Sequence, residues 1–283
     1  MPVTTKASSR KGEARRSRAA FSLRLQQWRL AAIRAWRILN TAPPAIRIGV
    51  LALVTLAVFS AANFVFQVIR KPSEMLFPVS GVLNKAPAET WHQYAPLFRE
   101  YSTASITPEL LAALAQVEAA GNPVARTYWR WRLTANPFAI YRPASSSVGM
   151  FQMTDPAFAE ARNYCIRHHA IVESGAWDDW HSCWFNSLYT RIVPSHAIEL
   201  TAIFLDRTAA AVLQREHAPS ASLPQRQDVA TIIHLCGAGP ASDFVRDGFR
   251  LSPGARCGDQ DAATYLARVK AMTKQFLSLA QEE

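Results

Sequence analysis

An all-α ectodomain behind a single N-terminal transmembrane helix is the architecture this sequence predicts, and three observations predict it. Residues 48–69, IGVLALVTLAVFSAANFVFQVI, run for 22 residues without a charge. Beyond residue 88, apolar positions recur at helical spacing behind proline-marked N-termini. No alternating strand of useful length interrupts them, so the ectodomain reads as all-α, or α with a small irregular hairpin.

The uncharged run comes first. At about 1.5 Å per residue it reaches about 33 Å, enough to cross a bilayer core of about 30 Å. Its polar residues are few: Thr55, Ser60, Asn63 and Gln67. A buried helix of a soluble protein rarely runs so far without a charge, and a cleaved signal peptide has a shorter apolar core and leader. Arg29, Arg34, Arg37 and Arg47 precede the run, against Arg70, Lys71 and Lys85 after it. This bias keeps the N-terminus in the cytoplasm and sends the rest of the chain outside. The organisation is a basic tail (1–47), a span (48–69), a linker rich in Pro, Ser and Gly (70–87) and one domain (88–283). Within the tail, residues 1–20 read as disordered. Residues 21–39 mix Arg with Leu, Ile and Trp at helical spacing. They fit an amphipathic helix on the inner leaflet or a partly helical topogenic segment.

Net charge is +10, but eleven Lys/Arg against one Glu lie in residues 1–47. Residues 72–283 hold 18 basic and 20 acidic side chains. The exported part is close to neutral, which argues against nucleic acid as a partner. All four cysteines, Cys165, Cys183, Cys236 and Cys257, follow the span, as an oxidising compartment allows. Of three pairings, the local one (Cys165–Cys183, Cys236–Cys257) closes loops of modest length and is the expected one. His168 and His169 after Cys165 raise a zinc site as the competitor, but the remaining spacings match no usual zinc pattern.

The domain's helices follow in order. Residues 88–101 place Trp91, Tyr94, Leu97, Phe98 and Tyr101 at helical intervals. Thr107-Pro108-Glu109 offers an N-cap, a first-turn proline and a first-turn acid. Asp155-Pro156 opens the next helix in the same manner, with Asp155 as its cap. Ser195 is placed to cap a long helix through about Arg215, with Ile198, Thr201, Ala202, Leu205, Ala209 and Val212 inward. Residues 226–236 and 261–280 complete the set.

One acid breaks the pattern. In the helix after Thr107, Glu118 continues the stripe of Leu111 and Leu114, since positions four apart share a face. Gly121-Asn122-Pro123 ends that helix, so Glu118 sits in its last turn, where the macrodipole disfavours negative charge. Apolar neighbours push the same way, and a carboxyl held protonated near neutral pH suits general-acid cleavage of an ether-like bond. The plain alternative is an edge residue turned to solvent or paired with Arg126.

A second motif lies in SSSVGMFQMTDPAF, residues 145–158, and a third in CGAGP, residues 236–240. With VEAAGNP around Glu118, these segments resemble the lytic transglycosylase domain of the goose-lysozyme-like superfamily. The resemblance covers about residues 95–245, with the three motifs in family order. It implies a mainly helical, lysozyme-like domain in which Glu118 is the catalytic acid. Gly149, Met150, Phe151, Gln152 and Gly239 would face the substrate, with Met150 and Phe151 walling the groove unless they pack in the core. The implied substrate is the peptidoglycan glycan strand, cut between N-acetylmuramic acid and N-acetylglucosamine with a 1,6-anhydro product. No metal or organic cofactor is implied. The implied setting is a bacterial inner membrane with the catalytic domain in the periplasm, near an envelope-spanning secretion or division machine. Alternatives are a lysozyme-type hydrolase of the same bond and an inactive peptidoglycan-binding scaffold. The sequence departs from the family in three places. Ala119 stands where Ser often follows the acid. Cys236-Gly237 replaces a Tyr-Asn pair, leaving His234 or another Tyr to supply the site's polar group. Residues 125–142 are extra, and their aromatics either stack on sugars, contact a partner or pack the insertion onto the domain.

Overall fold

The computed structural model describes residues 26–27, 29–30, 34, 36–38, 40–76, 81–173 and 183–283. The segment read as disordered, 1–20, and much of the expected amphipathic stretch, 21–39, lie outside the described residues. The chain divides into two units, with the boundary between Val65 and Phe66.

The first unit contains most of α1 (Pro44–Arg70), which closes on a basic residue. Among the described residues it is the one helix long and apolar enough to cross a membrane. The second unit carries seven further helices among its described residues: α2 (Pro87–Glu100), α3 (Pro108–Ala119), α4 (Asp155–Ala161), α5 (Pro194–Arg215), α6 (Leu223–Cys236), α7 (Ala238–Arg246) and α8 (Ala262–Gln281). Three antiparallel ribbons stand between them, where one hairpin at most was expected: β1 (Trp129–Trp131) with β2 (Tyr141–Pro143), β3 (Tyr164–Arg167) with β4 (Ala170–Glu173), and β5 (Arg256–Cys257) with β6 (Gln260–Asp261). Strands of two to four residues are too short for alternation to register in a sequence.

Both disulfides take the local pairing. Cys165–Cys183 has its Cα atoms 5.4 Å apart and Cys236–Cys257 has them 5.3 Å apart. Each fastens a ribbon, the first through β3 and the second through β5.

The core is built around α3, whose residues Leu110 to Ala115 are all buried. Thr107 caps the helix by accepting from the Leu110 amide at 3.4 Å, and Pro108 occupies the first turn as expected. Helices α2 and α8 pack on α3, and α5, α6 and α7 pack against one another behind it. At the C-terminal end Ala120 takes the left-handed conformation, φ 49°. Gly121 follows with φ 64°, and a Cβ there would lie 2.2 Å from Thr90 Oγ1, so α2 reaches its position only because residue 121 lacks a side chain.

Two expected caps differ. Thr154 precedes α4, so Asp155 is its first helical residue and pairs with Arg191 at 2.7 Å. Val193 precedes α5, which leaves Ser195 inside the first turn. In both cases the helix starts earlier than the polar side chain indicates, by one residue in α4, where Pro156 is second, and by two in α5, where Pro194 is first.

One buried acid is absent from the expected inward set of α5. Glu199 is only 2% exposed. Its Oε1 accepts from the Ile166 amide of β3 at 2.8 Å, and it also hydrogen-bonds Tyr189 and Asn186. Burial holds this carboxyl above the usual carboxylate range, and with Glu199 nearby pushes Tyr101 up to about 12. The Asn186 amide donates onward to the Tyr164 carbonyl. Glu199 thus satisfies polar groups of the ribbon that the Cys165–Cys183 bridge also holds.

The core placement of α3 carries a direct expectation. Leu114→Ala removes a fully buried side chain and should cost about 2–5 kcal/mol, read as a lowered unfolding midpoint of the full chain in detergent. A loss below about 1 kcal/mol would contradict the central position of α3.

Candidate active site

Glu118 projects from the last turn of α3, where two separate segments meet it and one of them links it to a third. The Tyr265 hydroxyl of α8 donates to Glu118 Oε1 across 147 residues of sequence. His234 of α6 places Nε2 3.7 Å from the same oxygen. The His234 imidazole also hydrogen-bonds the Phe151 backbone, in the middle of the second motif. Arg126, the alternative partner for Glu118, is engaged elsewhere, 3.2 Å from Glu74. The Glu118 side chain is 14% exposed, which leaves the carboxyl sheltered but reachable.

The local electrostatics follow from burial. Desolvation lowers the His234 pKa, and the nearby Glu118 charge offsets this only in part. His234 is therefore neutral near pH 7, and its contact with Glu118 is not an ion pair. Burial, then the Glu118 charge, raise the Tyr265 pKa well above its ordinary value, so the phenol keeps its proton and remains a donor.

The second motif is a closed loop. Val148 and Met153 exchange backbone hydrogen bonds of 3.2 Å in both directions. Gly149 has φ 81°, and a Cβ there would lie 2.0 Å from the Arg191 carbonyl oxygen. The fold therefore requires glycine here for the turn and for the close approach of the Arg191 backbone. Gln152 sits at φ 46°, a conformation that costs a non-glycine residue roughly 1–2 kcal/mol. Its side-chain amide donates to the Gly149 carbonyl at 2.9 Å and the Ala125 carbonyl at 3.2 Å, which holds the turn closed.

The groove wall expected of Met150 and Phe151 is corrected, since both are fully buried in the hydrophobic core. The closed loop turns these side chains inward, where they support it from below. Gly239 lies exposed in the first turn of α7 with open space where a Cβ would stand. The special backbone belongs instead to Gly237, whose φ of 83° and ψ of −179° join α6 to α7 in a conformation reserved for glycine. A cavity of about 250 Å³ adjoins this arrangement, lined by Gln152, Thr201, Phe204, His234 and Gly237 among others. A larger one, about 620 Å³, lies near the end of α1, and Glu118 lines neither cavity. The groups that meet Glu118, not cavity volume, make its surroundings the candidate site.

Cys236 occupies the place where a site tyrosine was expected, and its disulfide connects that place to another tyrosine. The Cys236–Cys257 bridge holds β5, and β6 ends at Asp261, whose carboxylate caps α8 by accepting from the Thr264 amide at 2.7 Å. Tyr265 is one residue further on. Its inward position was legible from spacing with Leu266, Val269 and Phe276, but nothing local pairs it with Glu118. Among the described residues, no cluster of three or more His, Cys, Asp or Glu side chains is arranged to hold a metal ion.

In comparisons with known proteins, no family model matches the chain and no curated protein matches it.

Two tests follow from this geometry. As pH falls below the ordinary histidine value of 6.5, the unfolded chain binds a proton that buried His234 refuses. Stability should therefore decline from about pH 6.5 down to the lower folded value, and His234→Gln should flatten this slope. His196, also lowered by burial, retains its own share. Converting both Cys236 and Cys257 to Ser should cost about 3 kcal/mol in thermal unfolding. It should also alter the Tyr265 environment, seen as loss of protection of the α8 amides from hydrogen exchange.

Proposed function

We propose that the chain is a membrane-anchored lytic transglycosylase acting on peptidoglycan glycan strands, with Glu118 as its acid and base. The observation that carries this reading is the meeting of a sheltered, reachable carboxyl with a neutral imidazole and a protonated phenol at one oxygen. The order of the motifs and the lysozyme-like, mainly helical domain that their resemblance implies support it. The anchor is α1, with the N-terminus on the cytoplasmic side of a bacterial inner membrane and the domain in the periplasm. The two disulfides accord with an oxidising compartment.

In this mechanism Glu118 gives its proton to the oxygen linking N-acetylmuramic acid to N-acetylglucosamine. The C1–O bond breaks and the N-acetylglucosamine side leaves as an alcohol. The carboxylate then takes the proton of the muramic C6 hydroxyl, whose oxygen bonds to C1 and closes the 1,6-anhydro ring. No water is consumed and Glu118 regains its proton. The substrate's own hydroxyl acts where a two-carboxylate glycosidase uses a nucleophile or an activated water. Tyr265 and His234 are positioning residues. The phenol fixes one carboxyl oxygen and leaves the other for the sugar, while the imidazole couples the carboxyl to the motif loop.

Digestion of purified sacculi by the full chain in detergent tests the proposal. Wild type should release muropeptides with anhydro ends, and Glu118→Gln should lower the rate at least about a hundredfold. Tyr265→Phe should lower it about ten- to a hundredfold, the effect of one hydrogen bond to a charged group. Reducing ends would identify a hydrolase. Absence of release by wild type, or equal release by Glu118→Gln, would overturn the assignment and leave the scaffold reading.

A further inference from the structure

The insertion at 125–142 is not part of the Glu118 site. Its ribbon, β1 with β2, is fastened to the end of α1. Gln67 Nε2 donates to the Phe138 carbonyl at 2.6 Å, and the Phe66 and Phe138 rings stack at 5.1 Å. Below the ribbon, Glu74 is fully buried and receives the Trp129 indole N–H at 2.8 Å and Arg126 at 3.2 Å, with Lys71 at 3.3 Å. Lys71 in turn donates to the Ser147 carbonyl at 2.8 Å. If α1 crosses the membrane, its charged terminus at Arg70-Lys71 marks the water boundary, and the ribbon stands within about one turn, ~5 Å, of it.

The composition of the insertion fits that depth. Residues 125–142 contain four Arg and no acid. Along the ribbon, Trp131 faces Tyr141, while Arg130 faces Arg142 directly across the two strands. Like charges placed opposite each other destabilise a ribbon unless an anion screens them. Neither Arg130 nor Arg142 forms an ion pair among the described residues. Leu133, just beyond β1, is fully exposed and Trp131, at its end, is 72% exposed, although large apolar side chains otherwise favour burial.

Between the ribbon and the end of α1 lies the cavity of about 620 Å³, whose lining includes Arg70, Lys71, Arg142 and Arg191. Asp155 is there too, but it is taken up by Arg191 at 2.7 Å, just as Lys71 is taken up by Glu74. Arg70 and Arg142 remain to meet an anion. We propose that this cavity binds the phosphate headgroup of an anionic phospholipid from the bilayer that α1 crosses, with Arg70 and Arg142 as its phosphate ligands. The hairpin tip enters the same interface through Trp131 and Leu133. Trp favours the headgroup level, and each nearby basic residue adds attraction to an anionic leaflet. This site is independent of the chemistry at Glu118 and rests only on α1 spanning the membrane.

Native mass spectrometry of the detergent-solubilised full chain, offered phosphatidylglycerol, phosphatidylcholine and inorganic phosphate in turn, tests the assignment. Wild type should retain phosphatidylglycerol over phosphatidylcholine, and each of Arg70→Gln and Arg142→Gln should cut that preference about five-fold. Arg142→Lys should keep part of it, and an unchanged unfolding midpoint will show that the variants fold. Equal retention of the two lipids, a preference unaffected by Arg70→Gln with Arg142→Gln, or displacement of phosphatidylglycerol by stoichiometric inorganic phosphate would overturn the proposal. In nanodiscs with acyl-brominated lipid, the emission lost in Trp131→Phe should be the quenched part of the wild-type signal. An unquenched Trp131 would place the tip in water and overturn its part in the interface.

Discussion

The hydrogen bond from Tyr265 to Glu118 ties α8 to α3, the helix around which the core is built, and the candidate site depends on it. A carboxyl at the end of an apolar helix is free to turn outward. Here a buried phenol donor fixes one of its oxygens, and the phenol is itself fixed because α8 packs along α3. His234 adds the second constraint, since its imidazole contacts Glu118 on one side and the Phe151 backbone on the other. Burial keeps both partners in their neutral forms. The result is a carboxyl held by groups from two distant parts of the chain, one of them itself held by a third.

The disulfides and the buried acid Glu199 act on the elements that carry these groups. Cys236 lies two residues from His234 and is bonded to the ribbon that leads into α8, so one covalent link spans both partners of Glu118. On the other side of the domain, Glu199 and the Cys165–Cys183 bridge secure β3 against α5. Short ribbons of this kind bury too little apolar surface to be stable alone. A covalent bond and a buried hydrogen-bonded carboxyl supply what their packing does not.

A similar economy holds near the end of α1. The segment that reads as a linker is anchored at both described ends. Glu74 is locked under the ribbon by Lys71, Arg126 and Trp129. Lys85 donates its amide to the Ala120 carbonyl at 2.8 Å, and Asn84 accepts from the Asn122 side chain at 2.8 Å. Residues after the span are therefore held to the domain by buried polar contacts, and the aromatic insertion belongs to this junction rather than to the Glu118 site.

Much of this was legible locally. The uncharged run of α1, the proline-marked start of α3, the apolar stripe interrupted by Glu118 and the local cysteine pairing all depend on neighbours within a few turns or on loop length. What lay beyond reach was every contact made across the fold. Neither Tyr265 nor Glu199 stands out in the sequence, and Met150 and Phe151 read as groove wall or core with nothing to decide between them. The sequence by itself determined every helix but α7, the candidate membrane span and the odd acid, because periodicity, capping and length act through adjacent residues. Only the tertiary structure decided what that acid touches, since a hydrogen bond between residues 118 and 265 requires α8 to return along α3, and no local pattern encodes that return.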